Sequence, residues 1–161
     1  MFAVLHWQAV PMERLLRKTL PGGRFDGVNP DRSALMSRIR GKGNRSTERR
    51  FRMALVRSRV CGWSLHPKSV TGRPDFYFSG ARVAVFLDGC FWHGCPVCGH
   101  IPRTRTRFWR AKITRNRNRS RAVKRELNRS GIAVVRIWEH ELKRGMAPCL
   151  KRVIRMLRIS R

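Results

Sequence analysis

Apolar positions along the chain fall into two patterns, helical stripes and short continuous runs, and together they predict an ordered series of elements. Asp31 can cap a short helix reaching about Arg40, and Gly41-Lys42-Gly43-Asn44 marks a loop. Ser46 or Thr47 then caps a helix over 47–58. Within it Glu48, Phe51 and Leu55 fall at i, i+3 and i+7, so an acid shares the apolar face. Residues 74–78 (PDFYF) and 82–87 (RVAVFL) read as strands separated by the Ser79-Gly80 turn, the second apolar enough to be buried on both faces. A long helix is predicted over 105–129, with Trp109, Ile113, Asn116, Ser120, Val123 and Leu127 as its inner stripe. Residues 132–138 (IAVVRIW) form another buried strand, and a basic amphipathic helix closes the chain over 147–158. Helix, strands, helix, strand, helix is the order of an α/β protein, a mixed sheet covered by helices.

The stripes leave the remaining faces almost wholly basic. The chain has 161 residues, with 37 Lys and Arg against 9 Asp and Glu, a net charge of +28. That field excludes an ordinary neutral metabolic enzyme and calls for a polyanionic partner, nucleic acid first. A hydrophobic content of 42% is too high for a disordered basic tail. No run reaches the about 18 apolar residues of a membrane span, so no membrane role is expected. Residues 1–30, broken by Pro11, Pro21-Gly22-Gly23 and Pro30, are expected to be a flexible extension or a product of start-site choice, and 31–161 the folded domain. The start has neither the basic region nor the cleavage site of a secretory signal, so a cytoplasmic location is expected.

In a reducing compartment, clustered thiols point to metal. Cys90, Cys95 and Cys98 lie on one short segment, three ligands of the four that structural zinc takes. His93, His100, His140 and Cys149 are the candidates for the fourth, and His140 follows a strand that can run beside 82–87. Two acids mark strand ends, Asp75 after Pro74 and Asp88 before Gly89. With the inward Glu48 and with His93 five residues past Asp88, they form a set that can hold Mg²⁺ and supply a general base. Phe91-Trp92 beside them can stack on bases or fill a core.

The segments GRPDF (72–76), VAVFLDGCFWHGCP (83–96), TRTRFW (104–109) and IWEHEL (137–142), with the leader RSALMSRI (32–39), resemble the very short patch repair (Vsr-like) DNA mismatch endonucleases. The resemblance spans about 31–144. It implies a restriction-endonuclease-like fold with a structural zinc, and Mg²⁺-dependent nicking of one strand of duplex DNA at a T·G mismatch, the product of 5-methylcytosine deamination. It further implies that Asp75 and the Leu87 carbonyl hold Mg²⁺, that His93 is the general base, and that Glu48 and Asp88 assist. Cys90, Cys95, Cys98 and His140 would hold Zn²⁺, and Met36, Phe91 and Trp92 would form the wedge inserted beside the mismatch. A monomer is expected.

Two departures from the family pattern stand out. Ser120 occupies the place of an Asp in the long helix, and the 1–30 extension has no counterpart. Two other readings compete: a nuclease of the same fold without mismatch preference, and a zinc-stabilised DNA-binding module that has lost cleavage.

Overall fold

The computed structural model describes residues 47–160. Met36, the 1–30 extension and the helix expected over 31–40 lie outside the described residues. In chain order the elements are α1 (Glu48–Arg57), β1 (Trp63–Leu65), β2 (Phe76–Phe78), β3 (Val83–Asp88), α2 (Thr106–Arg129), β4 (Ala133–Trp138), α3 (Glu139–Arg144) and α4 (Met146–Ile159). The four strands form one mixed sheet in the order β1-β2-β3-β4. The first two pairings are antiparallel, whereas β3 and β4 run parallel and are joined through α2. Parallel neighbours require such a crossover, and a helix is its usual form.

β3 explains why its run of apolar residues is unbroken. Val83 and Val85 belong to a core with Phe51 and Leu55 of α1 and Cys149, Leu150 and Val153 of α4. Ala84 and Phe86 belong to a second core with Leu127 of α2. Alternate residues of a strand face opposite sides of a sheet, so a strand covered on both faces must be apolar at every position. The stripe expected along α2 is the one observed: Ile113 and Leu127 are buried, and Trp109, Asn116, Ser120 and Val123 are half-buried.

Two expectations are corrected, and two elements are added. Two short elements were not foreseen: β1, only three residues long, and α3, a six-residue helix directly abutting β4. Neither is long enough to show a period. Asp75 immediately precedes β2 and does not start it, because pairing with β3 begins at Phe76↔Val85. Thr47 occupies the N-cap position of α1, but its side chain makes no capping hydrogen bond. Instead its carbonyl accepts the first helical N–H, from Phe51, at 3.0 Å.

Candidate active site and metal centre

The carboxyl ends of the parallel strands β3 and β4 carry most of the chemistry. In their register Asp88 is the partner of Trp138. Cys90 and His140 each lie two residues beyond that pair, so the parallel alignment brings them together across fifty residues of chain. His140 Nδ1 lies 3.3 Å from Cys90 Sγ, 3.4 Å from Cys95 Sγ and 3.6 Å from Cys98 Sγ. In a tetrahedral zinc site, Zn–S and Zn–N bonds of about 2.3 and 2.0–2.1 Å place sulfur and nitrogen about 3.5 Å apart. The four ligand atoms all lie within 4.8 Å of one another, and this group could hold a metal ion. Of the four candidates for the last ligand, only His140 is in this cluster: Cys149 is in the core, where its thiol donates to the Gly145 carbonyl at 3.4 Å.

The loop is built to converge on that point. Backbone N–H groups of His140 and Val97 donate to Cys90 Sγ (3.3 Å) and Cys95 Sγ (3.4 Å), the kind of contact that stabilises thiolates. Gly94 turns the chain with φ 61°, and a Cβ there would lie 2.6 Å from Ile113 Cγ2, so only glycine allows the loop to rest on α2. Burial and the neighbouring Cys98 and Cys95 push the Cys90 thiol up to about 12, whereas, against burial, hydrogen bonds from Cys98, Val97 and Cys90 lower that of Cys95.

The second constellation flanks the end of β3 on both faces of the sheet. On the α1 side, Asp75 Oδ2 accepts the Leu87 N–H at 2.7 Å. His66 Nε2 and Glu48 Oε1 are 2.8 Å apart, and His66 Nδ1 lies 3.8 Å from Asp75 Oδ1. Burial pushes the Asp75 carboxyl up to about 6, with Glu48 and Asp88 adding to it and the Leu87 N–H and His66 opposing. Glu48, His66 and Asp75 form the second group whose geometry could hold a metal ion. His66 escaped the sequence reading. It is adjacent to Asp75 because β1 pairs with β2 as Leu65↔Phe76, which sets the next residue of one strand beside the preceding residue of the other.

On the α2 side, the buried Asp88 carboxylate meets Arg136 Nε at 3.0 Å and His93 Nδ1 at 3.6 Å. Ser120 Oγ approaches the same His93 nitrogen to 3.3 Å. Ser120 thus stands where the inner stripe of α2 placed it, against the imidazole. Burial lowers the His93 pKa, helped by Arg136 and Arg119 and opposed by Asp88, so the ring is neutral near pH 7. Burial also pushes the Asp88 carboxyl up against the pull of Arg136 and His93. Arg136 is a second residue the sequence reading missed; a lone Arg inside an apolar strand was its only signal.

Phe91 and Trp92 are half-buried and belong to neither core. Their rings are 5.0 Å apart, and Trp109 extends the cluster at 5.1 Å from Phe91. The Lys112 ammonium lies 5.6 Å from the Trp92 ring, and Asn116 Nδ2 donates to the Trp92 carbonyl at 2.9 Å. The pair is therefore an aromatic ledge held by α2, next to the loop that carries His93. Away from the core, α2 presents ten Lys and Arg against the single acid Glu126. Among the described residues no helix is long and apolar enough to cross a membrane.

Comparison with known proteins places the sequence in a family. Residues 26–98 match the family model described as DNA mismatch endonuclease Vsr. The Type II nicking enzyme V.NaeI of Lentzea aerocolonigenes is 48% identical over 69 residues, 43% of this chain and 42% of that protein, so the match spans less than half of that relative. The Type II nicking enzyme V.XorIIP of Xanthomonas oryzae pv. oryzae is 36% identical over 73% of this chain and 86% of its own. The DNA mismatch endonuclease Vsr of Escherichia coli is 33% identical over 70% of this chain and 74% of its own. With identity at this level over most of the length of two relatives, the chain belongs to the Vsr family of DNA mismatch endonucleases.

Proposed function

We propose that the protein nicks one strand of duplex DNA at a T·G mismatch by Mg²⁺-dependent hydrolysis of a phosphodiester, with Zn²⁺ in the Cys90–Cys95–Cys98–His140 site as a structural ion. The observation that carries this reading is the hydrogen bond from the Leu87 N–H to Asp75 Oδ2, which fixes a half-buried carboxylate at the end of β3 beside the Leu87 peptide. A divalent ion bound there supplies Lewis-acid polarisation of the phosphate and a more acidic water. Asp75 and the Leu87 carbonyl would hold it, and Glu48 lies within reach through His66.

His93 is the general base. Its Nδ1 is engaged by Ser120 and Asp88, so Nε2 is the nitrogen that takes the proton from the attacking water. The water oxygen bonds to phosphorus, the bond to the leaving sugar oxygen breaks, and that oxygen acquires a proton from solvent. A neutral, partly buried imidazole suits this role, because it accepts a proton without first losing one. Asp88 favours the imidazolium that results, and Ser120 only orients the ring.

Phe91 and Trp92 form the wedge; Met36, which the resemblance adds to it, lies outside the described residues. A T·G pair stacks less well than a Watson–Crick pair, and inserted rings replace the lost stacking. The cationic faces of α2 supply attraction for phosphates that is independent of sequence.

Nicking of T·G and matched duplexes, each with Mg²⁺ or EDTA, tests the reading. The expected result is Mg²⁺-dependent cleavage of one strand of the mismatched duplex. Two relatives bear the name Type II nicking enzyme, which favours a second reading, nicking at a site without mismatch preference. Equal rates on the matched duplex would establish it. Binding without cleavage in Mg²⁺ would leave a DNA-binding module.

A further inference from the structure

We propose that His66 is a nitrogen ligand of the divalent ion at Asp75, oriented by Glu48, so that the site takes Mn²⁺ in preference to Mg²⁺. The inference rests on the reading of Asp75 given above and adds to it a residue and a metal preference.

The argument starts from the tautomer. His66 Nε2 is 2.8 Å from a Glu48 carboxylate oxygen, and that oxygen can only accept, so Nε2 carries the proton. With Nε2 turned to Glu48, Nδ1 is the nitrogen that can offer a lone pair to a ligand. That atom is buried and has no hydrogen-bond partner. It faces Asp75 Oδ1 at 3.8 Å, beyond hydrogen-bond range, across a gap bordered by two lone-pair donors. Two lone pairs directed into one gap repel unless a proton or a cation lies between them. Ligand bonds of about 2.2 Å to one octahedral ion span about 3.1 Å between adjacent positions, so the two atoms would close by about 0.7 Å around a bound ion.

Each neighbour is already committed in the sense such a site requires. Asp75 Oδ2 is held by the Leu87 N–H, which leaves Oδ1 as the free ligand atom. Glu48 accepting from the far nitrogen of a ligating imidazole is the carboxylate–histidine–metal arrangement, which fixes the ring and raises its basicity. Carboxylate and water alone suit Mg²⁺, whereas an imidazole in the set shifts preference toward first-row transition ions.

The test uses the full zinc-loaded chain with Mn²⁺ as the probe, read by pulsed electron paramagnetic resonance. Wild type should show coupling of Mn²⁺ to an imidazole ¹⁴N. His66→Gln should lose that coupling, and His93→Ala should keep it. By direct titration wild type should bind Mn²⁺ at least about tenfold more tightly than Mg²⁺, and His66→Gln should narrow that ratio. Glu48→Ala should weaken Mn²⁺ binding about 10–100-fold while keeping the coupling. Wild-type Mn²⁺ binding that depends on Asp75 but lacks imidazole coupling, or coupling lost only in His93→Ala, overturns the inference and leaves the proposed function standing. Unchanged Mn²⁺ binding in Asp75→Asn overturns both. The wild-type spectrum decides even where a variant fails to fold.

Discussion

The Leu87 N–H donates to Asp75 Oδ2 at 2.7 Å, and this one bond ties the acid that precedes β2 to the strand end where the site is assembled. Its carboxyl is nonetheless raised to about 6 by burial and by Glu48 and Asp88. An acid raised in the folded state destabilises the fold wherever the unfolded chain is ionised and the folded one resists. The penalty is absent below pH 3.8, grows between 3.8 and about 6, and is full above that. Asp75→Asn removes it and keeps an oxygen for the Leu87 N–H. Zinc-loaded, Mg²⁺-free Asp75→Asn should therefore be more stable than wild type near pH 7, by on the order of 1–3 kcal/mol. The advantage should vanish below about pH 4. Denaturant unfolding at the two pH values checks this, and the same variant should have lost nicking.

The three cysteines and His140 predict a metal content of one zinc per chain. Cys98→Ser should lose both the metal and a large part of the stability, because zinc binding energy is folding energy in such sites. Elemental analysis and thermal unfolding of the same preparation are the measurements. Well-folded wild type without zinc would contradict the assignment.

Ser120 faces His93 Nδ1 across 3.3 Å, where a carboxylate would favour imidazolium. Ser120→Asp should therefore raise the His93 pKa. Since the base must be neutral to accept a proton, the acid limb of the nicking rate should move to higher pH, by about one unit. The plateau rate should not fall. A rate-against-pH series for the two proteins reads the shift directly, and an unchanged limb would remove His93 as the base.

Trp92 lies in an aromatic ledge outside both cores, so its loss should spare the fold. Trp92→Ala should lower the preference for T·G over matched duplex by about 5–150-fold, the equivalent of one lost stacking contact of about 1–3 kcal/mol. Binding to matched duplex, carried by the basic faces of α2, should change little. Nicking rates and binding on the two duplexes give the ratio.

By itself the sequence determined the elements that are long enough to show a period, and the local cluster of thiols. The i, i+3, i+7 pattern placed buried Glu48 on the inner face of α1, and the stripe from Trp109 to Leu127 placed Ser120 toward the core before any histidine could be seen opposite it. Cys90, Cys95 and Cys98 were legible because they lie on one short loop. What only the tertiary structure decided depends on registers between distant segments. His140 came beside the three thiols because β3 and β4 align in parallel with Asp88 opposite Trp138. His66 came to Asp75 because a three-residue strand, too short to carry a pattern, pairs with β2 at Leu65↔Phe76. Arg136 reads along the chain as an interruption of an apolar strand, and becomes the counterion of Asp88 only when the sheet is assembled. Periodicity records which face of an element is buried, since that choice is made residue by residue; it carries no record of which element will lie opposite, since that is settled by packing among segments far apart in the chain.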